Sequence, residues 1–224
     1  MRELLQRIIG MLILVALAGV LGPTGCSDDD NPESATTPNL THAPLNLTGP
    51  YNAGNQTYGS ISFIPGSPAF KPFGVSLGVD TYLKRMSYYT VPEAPIVAVS
   101  NGIVSAIIEN PIDEGDYEVH VTSIPGSDFT IVYDWVQRVA VQEDLAVLPG
   151  DTIGYAGYYN DDLGKFSLQI TTGESSTQRW YCPLIYGDDN FVAEHDALLD
   201  QYTALNRSPH YDSLCLQQIL GPDY

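Results

Sequence analysis

From about residue 59 onward the apolar positions recur in twos. Ser60-Ile61-Ser62-Phe63-Ile64 alternates, as do Tyr117-Glu118-Val119-His120-Val121, Phe129-Thr130-Ile131-Val132-Tyr133 and Phe166-Ser167-Leu168-Gln169-Ile170. Alternation of this kind turns one face of a strand to a core and the other to polar surroundings. Turn chemistry separates the runs. Asn101-Gly102 divides Ile96–Val99 from Ile103–Ile108 and predicts a tight hairpin. Pro125-Gly126-Ser127-Asp128 predicts the turn joining the strands around Val119 and Ile131, and Pro149-Gly150-Asp151 precedes the strand at Thr152–Tyr155. Short strands with regular punctuation predict a mainly β fold, an antiparallel sandwich or barrel-sandwich hybrid. The period changes once. Val192, Leu198, Leu199, Tyr202 and Leu205 follow mainly helical spacing behind Asp188, Asp189 and Asn190, which are N-cap candidates. A second short helix is expected over 213–220, stopped by Gly221-Pro222. The two predict a short helical extension, a hairpin packed on the β-core.

The first 57 residues follow neither period. Arg2 and Arg7 flank the start, Ile8–Leu21 carries no charge, and small residues lead to Cys26. This is a secretory signal, too short for the ~20 residues of a spanning helix. A small residue directly before a Cys resembles the bacterial lipoprotein signal, although Pro23 stands where an aliphatic residue is usual. That resemblance implies lipidation at Cys26 and a membrane anchor. Ordinary cleavage leaving a free thiol is the alternative. Residues 27–57 are poor in apolar side chains and open with Asp28-Asp29-Asp30, as a flexible acidic tether would. The expected division is therefore signal 1–25, lipidated Cys and tether 26–57, β-domain 58–175 and helical extension 176–224.

Composition narrows the partners. With 9 Lys+Arg against 27 Asp+Glu, net −18, the chain repels nucleic acid and anionic headgroups. Cys182 and Cys215 remain as an even pair in an oxidising compartment. A disulfide between them would close a loop of about 33 residues and stabilise by roughly 3–4 kcal/mol.

Ala94-Pro95-Ile96-Val97-Ala98-Val99-Ser100-Asn101-Gly102-Ile103-Val104 resembles the Pro-Val-x-Ala-x-x-x-Gly-x-Val opening of the lysostaphin-type zinc endopeptidases. Tyr133-Asp134-Trp135-Val136 resembles that family's Tyr-x-His-Leu, and runs without a gap through Val141 and Val147 to Pro149-Gly150-Asp151 and Ile153-Gly154. The resemblance covers roughly Gly74–Glu174. It implies a duplicated hybrid β-sandwich whose cleft receives a peptidoglycan strand. It also marks what is missing. Ser76-Leu77-Gly78-Val79-Asp80 is read against the family's His-x-Gly-x-Asp, and Ser167-Leu168-Gln169 against its His-x-His. Of the implied ligands, Ser76, Asp80 and Gln169, only Asp80 binds zinc well. Trp135 and Ser167 stand for the two remaining histidines, and neither takes a proton from water at neutral pH.

No other constellation replaces them. The 4 His lie at 42, 120, 195 and 210, with no H-x-H or H-E-x-x-H spacing. Asn160-Asp161-Asp162 and Asp188-Asp189-Asn190 miss the calcium-loop spacing and read as turns or caps. No G-x-S-x-G elbow activates a serine. The resemblance thus implies a degenerate peptidase domain with no catalytic residue, no metal and no cofactor. Its cleft would be lined by Ser76, Asp80, Tyr133, Trp135, Ser167 and Gln169. The expected protein is an exported, lipid-anchored, non-catalytic envelope protein that binds peptidoglycan or a cell-wall hydrolase or other envelope partner. An active zinc endopeptidase and a structural surface lipoprotein remain open alternatives.

Overall fold

The computed structural model describes residues 37–221 apart from Pro125. The signal segment, Cys26, the start of the tether and Pro222 lie outside the described residues. Among the described residues the strands are β1 (Tyr51–Asn52), β2 (Thr57–Tyr58), β3 (Ile61–Ser62), β4 (Phe70–Lys71), β5 (Ser76–Gly78), β6 (Thr81–Tyr82), β7 (Met86–Thr90) and β8 (Pro95–Val97). They continue as β9 (Gly102–Glu109), β10 (Tyr117–Thr122), β11 (Phe129–Gln137), β12 (Ala146–Val147), β13 (Thr152–Asn160), β14 (Leu163–Thr172), β15 (Arg179–Tyr181) and β16 (Ile219–Leu220). Among the described residues one α-helix, α1 (Asp189–Ala204), lies toward the C-terminal end. Every strand pair is antiparallel, and β7, β14, β11, β10 and β9 lie side by side. β13 pairs with β8, with the end of β11 and with the end of β14. The fold is mainly antiparallel β with one C-terminal helix.

The alternating runs became strands where their periodicity placed them. β10 and β11 form a hairpin with Thr122 opposite Thr130, and β14 carries Phe166, Leu168 and Ile170 into the core. The Asn101-Gly102 hairpin did not form. β8 pairs with β13, while β9 pairs with β10 and β12, so the chain crosses between partners at this point. Gly102 is needed for proximity rather than for a turn. A Cβ there would sit 2.5 Å from Val121 Cγ1 and 2.6 Å from the Thr122 carbonyl oxygen.

The expected tether ends sooner than residue 57. Leu40, Ala43, Leu45 and Leu47 are buried in the core. The Leu40 N–H donates to the Tyr186 carbonyl (2.8 Å), the Thr41 N–H to that of Val99 (2.9 Å), and the Val97 N–H to that of Pro44 (2.9 Å). A few apolar residues at the right spacing, with backbone partners on both sides, are enough to order a polar segment.

α1 begins at the expected cap. The Asp188 side chain accepts from the Phe191 N–H at 2.8 Å. Phe191, His195, Leu198 and Tyr202 form its buried stripe. The second helix is replaced by an irregular segment ending in β16, which pairs with β15. The Phe73 N–H donates to the Leu214 carbonyl, the Leu216 N–H returns to Phe73 (both 3.0 Å), and the Cys182 N–H donates to the Gln218 carbonyl (2.9 Å). These backbone groups are spent on neighbouring segments, so no i→i−4 ladder forms. Cys182 and Cys215 are joined as a disulfide, with Cα atoms 5.9 Å apart.

Candidate functional site

β7 was not signalled by alternation, because all five of its residues are buried. Its neighbours nevertheless assign it two faces. Tyr88 stacks on Phe166 of β14 with ring centroids 5.9 Å apart. Its O–H donates to His195 Nε2 at 2.8 Å, while His195 Nδ1–H donates to the Phe191 carbonyl at 2.7 Å. Burial holds the His195 imidazole down to about 4, so it is a neutral core residue. α1 therefore packs on the Tyr88 face, and the opposite face of the sheet is left to other groups.

That opposite face is the candidate site. Ser167 of β14 lies directly across from Ser87 of β7 on one side and Asp134 of β11 on the other. The Ser87 and Ser167 hydroxyls share a hydrogen bond of 2.8 Å. Arg85, two residues before Ser87, forms an ion pair through Nη1 with Asp134 Oδ2. Because β14 lies between β7 and β11, the Arg85 side chain crosses β14 to make this pair. Both serines are buried on the face that the guanidinium spans.

A β-bulge delivers Asp134 and Trp135 to this face together. Tyr133 pairs with Val119 and Val136 with Tyr117, so Asp134 and Trp135 stand against Glu118 alone. Trp135 takes the left-handed conformation at φ 66°. The Asp134 Oδ1 accepts from the Trp135 N–H at 2.9 Å, and Lys165 of β14 places its Nζ 3.8 Å from the centre of the indole ring. Burial raises the Asp134 carboxyl to about 6 against the pull of Arg85. Burial, with the like charge of Arg85, lowers Lys165 to about 8. Further along, Glu118 accepts from His120 Nε2 at 3.2 Å, a bond that lowers its carboxyl. Beyond it a cavity of about 420 Å³ reaches Gln169 and Glu174.

The residues read from the sequence as one cleft are thus divided. Ser167, Gln169 and Trp135 border this face. Tyr133 is corrected to the core: it is fully buried, and its hydroxyl accepts from the Val99 N–H at 2.9 Å. The bulge is the reason, since it breaks the alternation that would have placed Tyr133 beside Trp135. Ser76 and Asp80 stand on the β5–β6 hairpin, whose strands pair only with each other. Both are exposed, Ser76 Oγ donates to the Gly78 carbonyl at 3.0 Å, and Asp80 has φ 51°. The residue facing Ser167 across the sheet is Ser87. Arg85, Asp134 and Lys165 were missed for the same reason: the signals that place them are strand pairing and a bulge. The two acidic loops are what turn chemistry makes of them. Asn160 Oδ1 accepts from the Asp162 and Leu163 N–H groups, both at 3.0 Å, between β13 and β14.

This face does not fit a zinc ion. A tetrahedral site requires ligand atoms at ~2.0–2.3 Å from the metal. Here the two hydroxyls engage each other, the carboxylate engages a guanidinium, and Lys165 adds a second cation. Among the described residues no three His, Cys, Asp or Glu side chains form a metal-holding group. No described helix is long and apolar enough to cross a membrane.

Solved structures similar to this chain include the solution structure of lysostaphin, at 13% identity and TM-score 0.43 over 58% of this chain. The match spans half of lysostaphin, 50% of its length. Csd3 of Helicobacter pylori matches over 82% of this chain and 45% of its own, at 15% identity and TM-score 0.46. A zinc-containing peptidase from Vibrio cholerae matches over 58% and 37%, at 15% identity and TM-score 0.38. No protein-family model matches the sequence, and no curated protein matches it.

Proposed function

We propose that this is an exported, lipid-anchored envelope protein that performs no hydrolysis and uses the face around Ser167, Gln169 and Trp135 to bind peptidoglycan or a cell-wall hydrolase. The observation that carries the proposal is the Arg85–Asp134 bridge across β14, the strand of Ser167 and Gln169. Where the sequence resemblance calls for imidazoles and a metal, the sheet holds a fixed guanidinium, a lysine and two mutually bonded hydroxyls. A cation there takes the electrostatic place of a dication and repels one. The resemblance of residues 94–104 and 131–154 to lysostaphin-type endopeptidases supports peptidoglycan as the ligand class. The polar and aromatic lining suits a bound strand.

The test is co-sedimentation of the intact chain with purified peptidoglycan, with parallel measurement of bound zinc and of released muropeptides. Co-sedimentation without zinc or cleavage is expected. Zinc near one per chain with cleavage would replace the reading with an active peptidase. No co-sedimentation, together with no effect on an added hydrolase, would leave the face without a ligand and sink it.

A further inference from the structure

The bridged face continues past Trp135 into a region that the peptidase resemblance does not account for. Asp116, at the entry to β10, is common to two cavities. One of about 370 Å³ is also walled by Trp135, Tyr158 and Tyr159. The other, of about 230 Å³, is also walled by Glu118 and Asp134. Neither cavity is lined by a lysine or an arginine. Asp116 is 6% exposed. Its Oδ2 accepts from Asn110 Nδ2 at 3.2 Å, while its buried Oδ1 has no hydrogen-bond partner. A buried carboxylate oxygen with no donor is costly and calls for an explanation.

We infer that the Asp116 cavity is a subsite for a primary ammonium group carried on the side chain of a peptide, with Asp116 as the anion and the Trp135 and Tyr159 rings as walls. The molecule already shows that this aromatic surface accepts an ammonium. Lys165 Nζ lies 3.8 Å from the centre of the Trp135 ring and 6.0 Å from that of Tyr159. Lys165 acts on Asp116 through its charge and not by a hydrogen bond to Oδ1, which still lacks a donor. A divalent cation is the poorer occupant, because it demands several converging oxygen ligands and the described residues offer no such group. A primary ammonium needs one carboxylate and a π-face, and both line this cavity. Burial raises the Asp116 carboxyl, and a bound cation would reverse that. The chain's net charge of −18 favours the approach of a cation.

This assignment rests on the reading of the face as a binding surface and names one chemical feature of its ligand. The experiment titrates the intact chain with Nα-acetyl-lysine N-methylamide, its norleucine counterpart and its arginine counterpart, followed by calorimetry or by the indole signal of Trp135. Saturable binding of the lysine compound is expected, with the norleucine compound at least tenfold weaker. Asp116→Asn should weaken the lysine compound about tenfold while an unchanged thermal melt shows the fold intact. Lys165→Met, which removes the competing internal ammonium, should strengthen it. Equal binding of lysine and norleucine, no binding at all, or indifference to Asp116→Asn overturns the inference. Tighter binding of the arginine compound overturns the ammonium in favour of a guanidinium. Peptidoglycan co-sedimentation with a failed titration removes only this subsite. A successful titration without co-sedimentation keeps the subsite and removes the peptidoglycan reading.

Discussion

Ser87 and Tyr88 are adjacent on β7 and face opposite sides of one sheet. On the Tyr88 side the polar atoms of the α1 contact are matched one to one: the tyrosine hydroxyl meets His195 Nε2, and His195 Nδ1 meets a helix carbonyl. The Thr90 hydroxyl, farther along β7, has no partner but carries no charge. Around them Phe166, Leu168, Phe191 and Leu198 are buried and uncharged. On the Ser87 side charges outnumber matches. Asp134 is held by Arg85 but remains strained toward its neutral form, and Asp116 keeps an oxygen without a donor. The first face spends its polar groups on a single folded state. The second leaves electrostatic work undone, which is where ligands act in proteins whose local rules are otherwise consistent.

The comparison is sharpest where a single strand serves both faces. Phe166 of β14 is fully buried against Tyr88 and Tyr133. Phe166→Ala should cost about 3–5 kcal/mol by urea unfolding, the usual range for an emptied aromatic site. Ser167→Ala, one residue along on the other face, should cost less, about 1–2 kcal/mol, because it empties no large site and leaves only the buried Ser87 hydroxyl without its partner. Equal costs would mean that both faces are core and that no binding surface exists there.

Much of this division was legible in the sequence, and the part that was not has a common cause. The alternation at Val119–Val121, Ile131–Tyr133 and Phe166–Ile170 gave three central strands, and Asp188 marked the start of α1. β7 reads Met-Ser-Tyr-Tyr-Thr and is buried throughout, so no period of two shows. The bulge at Asp134-Trp135 shifts the face of every residue beyond it, and a single strand's pattern does not reveal an extra residue opposite one partner. That hid Asp134 and misplaced Tyr133. The segment 213–220 has helical spacing, but its backbone is claimed by Phe73 and Cys182. Pairing partners, which single-sequence periodicity does not see, decided each case.

The two faces should respond to pH with opposite sign. His195 falls from 6.5 to about 4 on burial, so the unfolded chain binds more protons between those values. Its contribution is fully present above 6.5 and is lost as pH falls toward 4. Asp134 rises from 3.8 to about 6, so the folded chain binds more protons in that window. Its contribution is present below 3.8 and is lost as pH rises through 6. Arg85→Ala removes the cation that lowers the Asp134 carboxyl. The variant should lose about 2 kcal/mol at pH 8, less than a fully buried pair because the guanidinium is partly exposed, and much less at pH 4.5 where Asp134 carries its proton. Urea melts of wild type and variant at both pH values measure this directly. A loss independent of pH would show that Arg85 contributes packing rather than charge.

The smallest effect is expected on the hairpin that the sequence reading had placed in the cleft. Asp80 is exposed, sits at φ 51° and belongs to a two-stranded sheet of its own. Asp80→Asn keeps a side chain that tolerates the left-handed conformation and removes only the charge. Stability should change by no more than about 0.5 kcal/mol, as for other exposed substitutions, and co-sedimentation with peptidoglycan should be unaltered. Trp135→Ala, by contrast, takes away the aromatic wall shared by Lys165 and the Asp116 cavity and should reduce that binding severalfold. If Asp80→Asn weakens binding as much as Trp135→Ala does, the hairpin folds over the sheet in the bound state. The ligand would then be held between two separate β elements instead of against one face, and the contrast between Ser87 and Tyr88 would describe only half of the site.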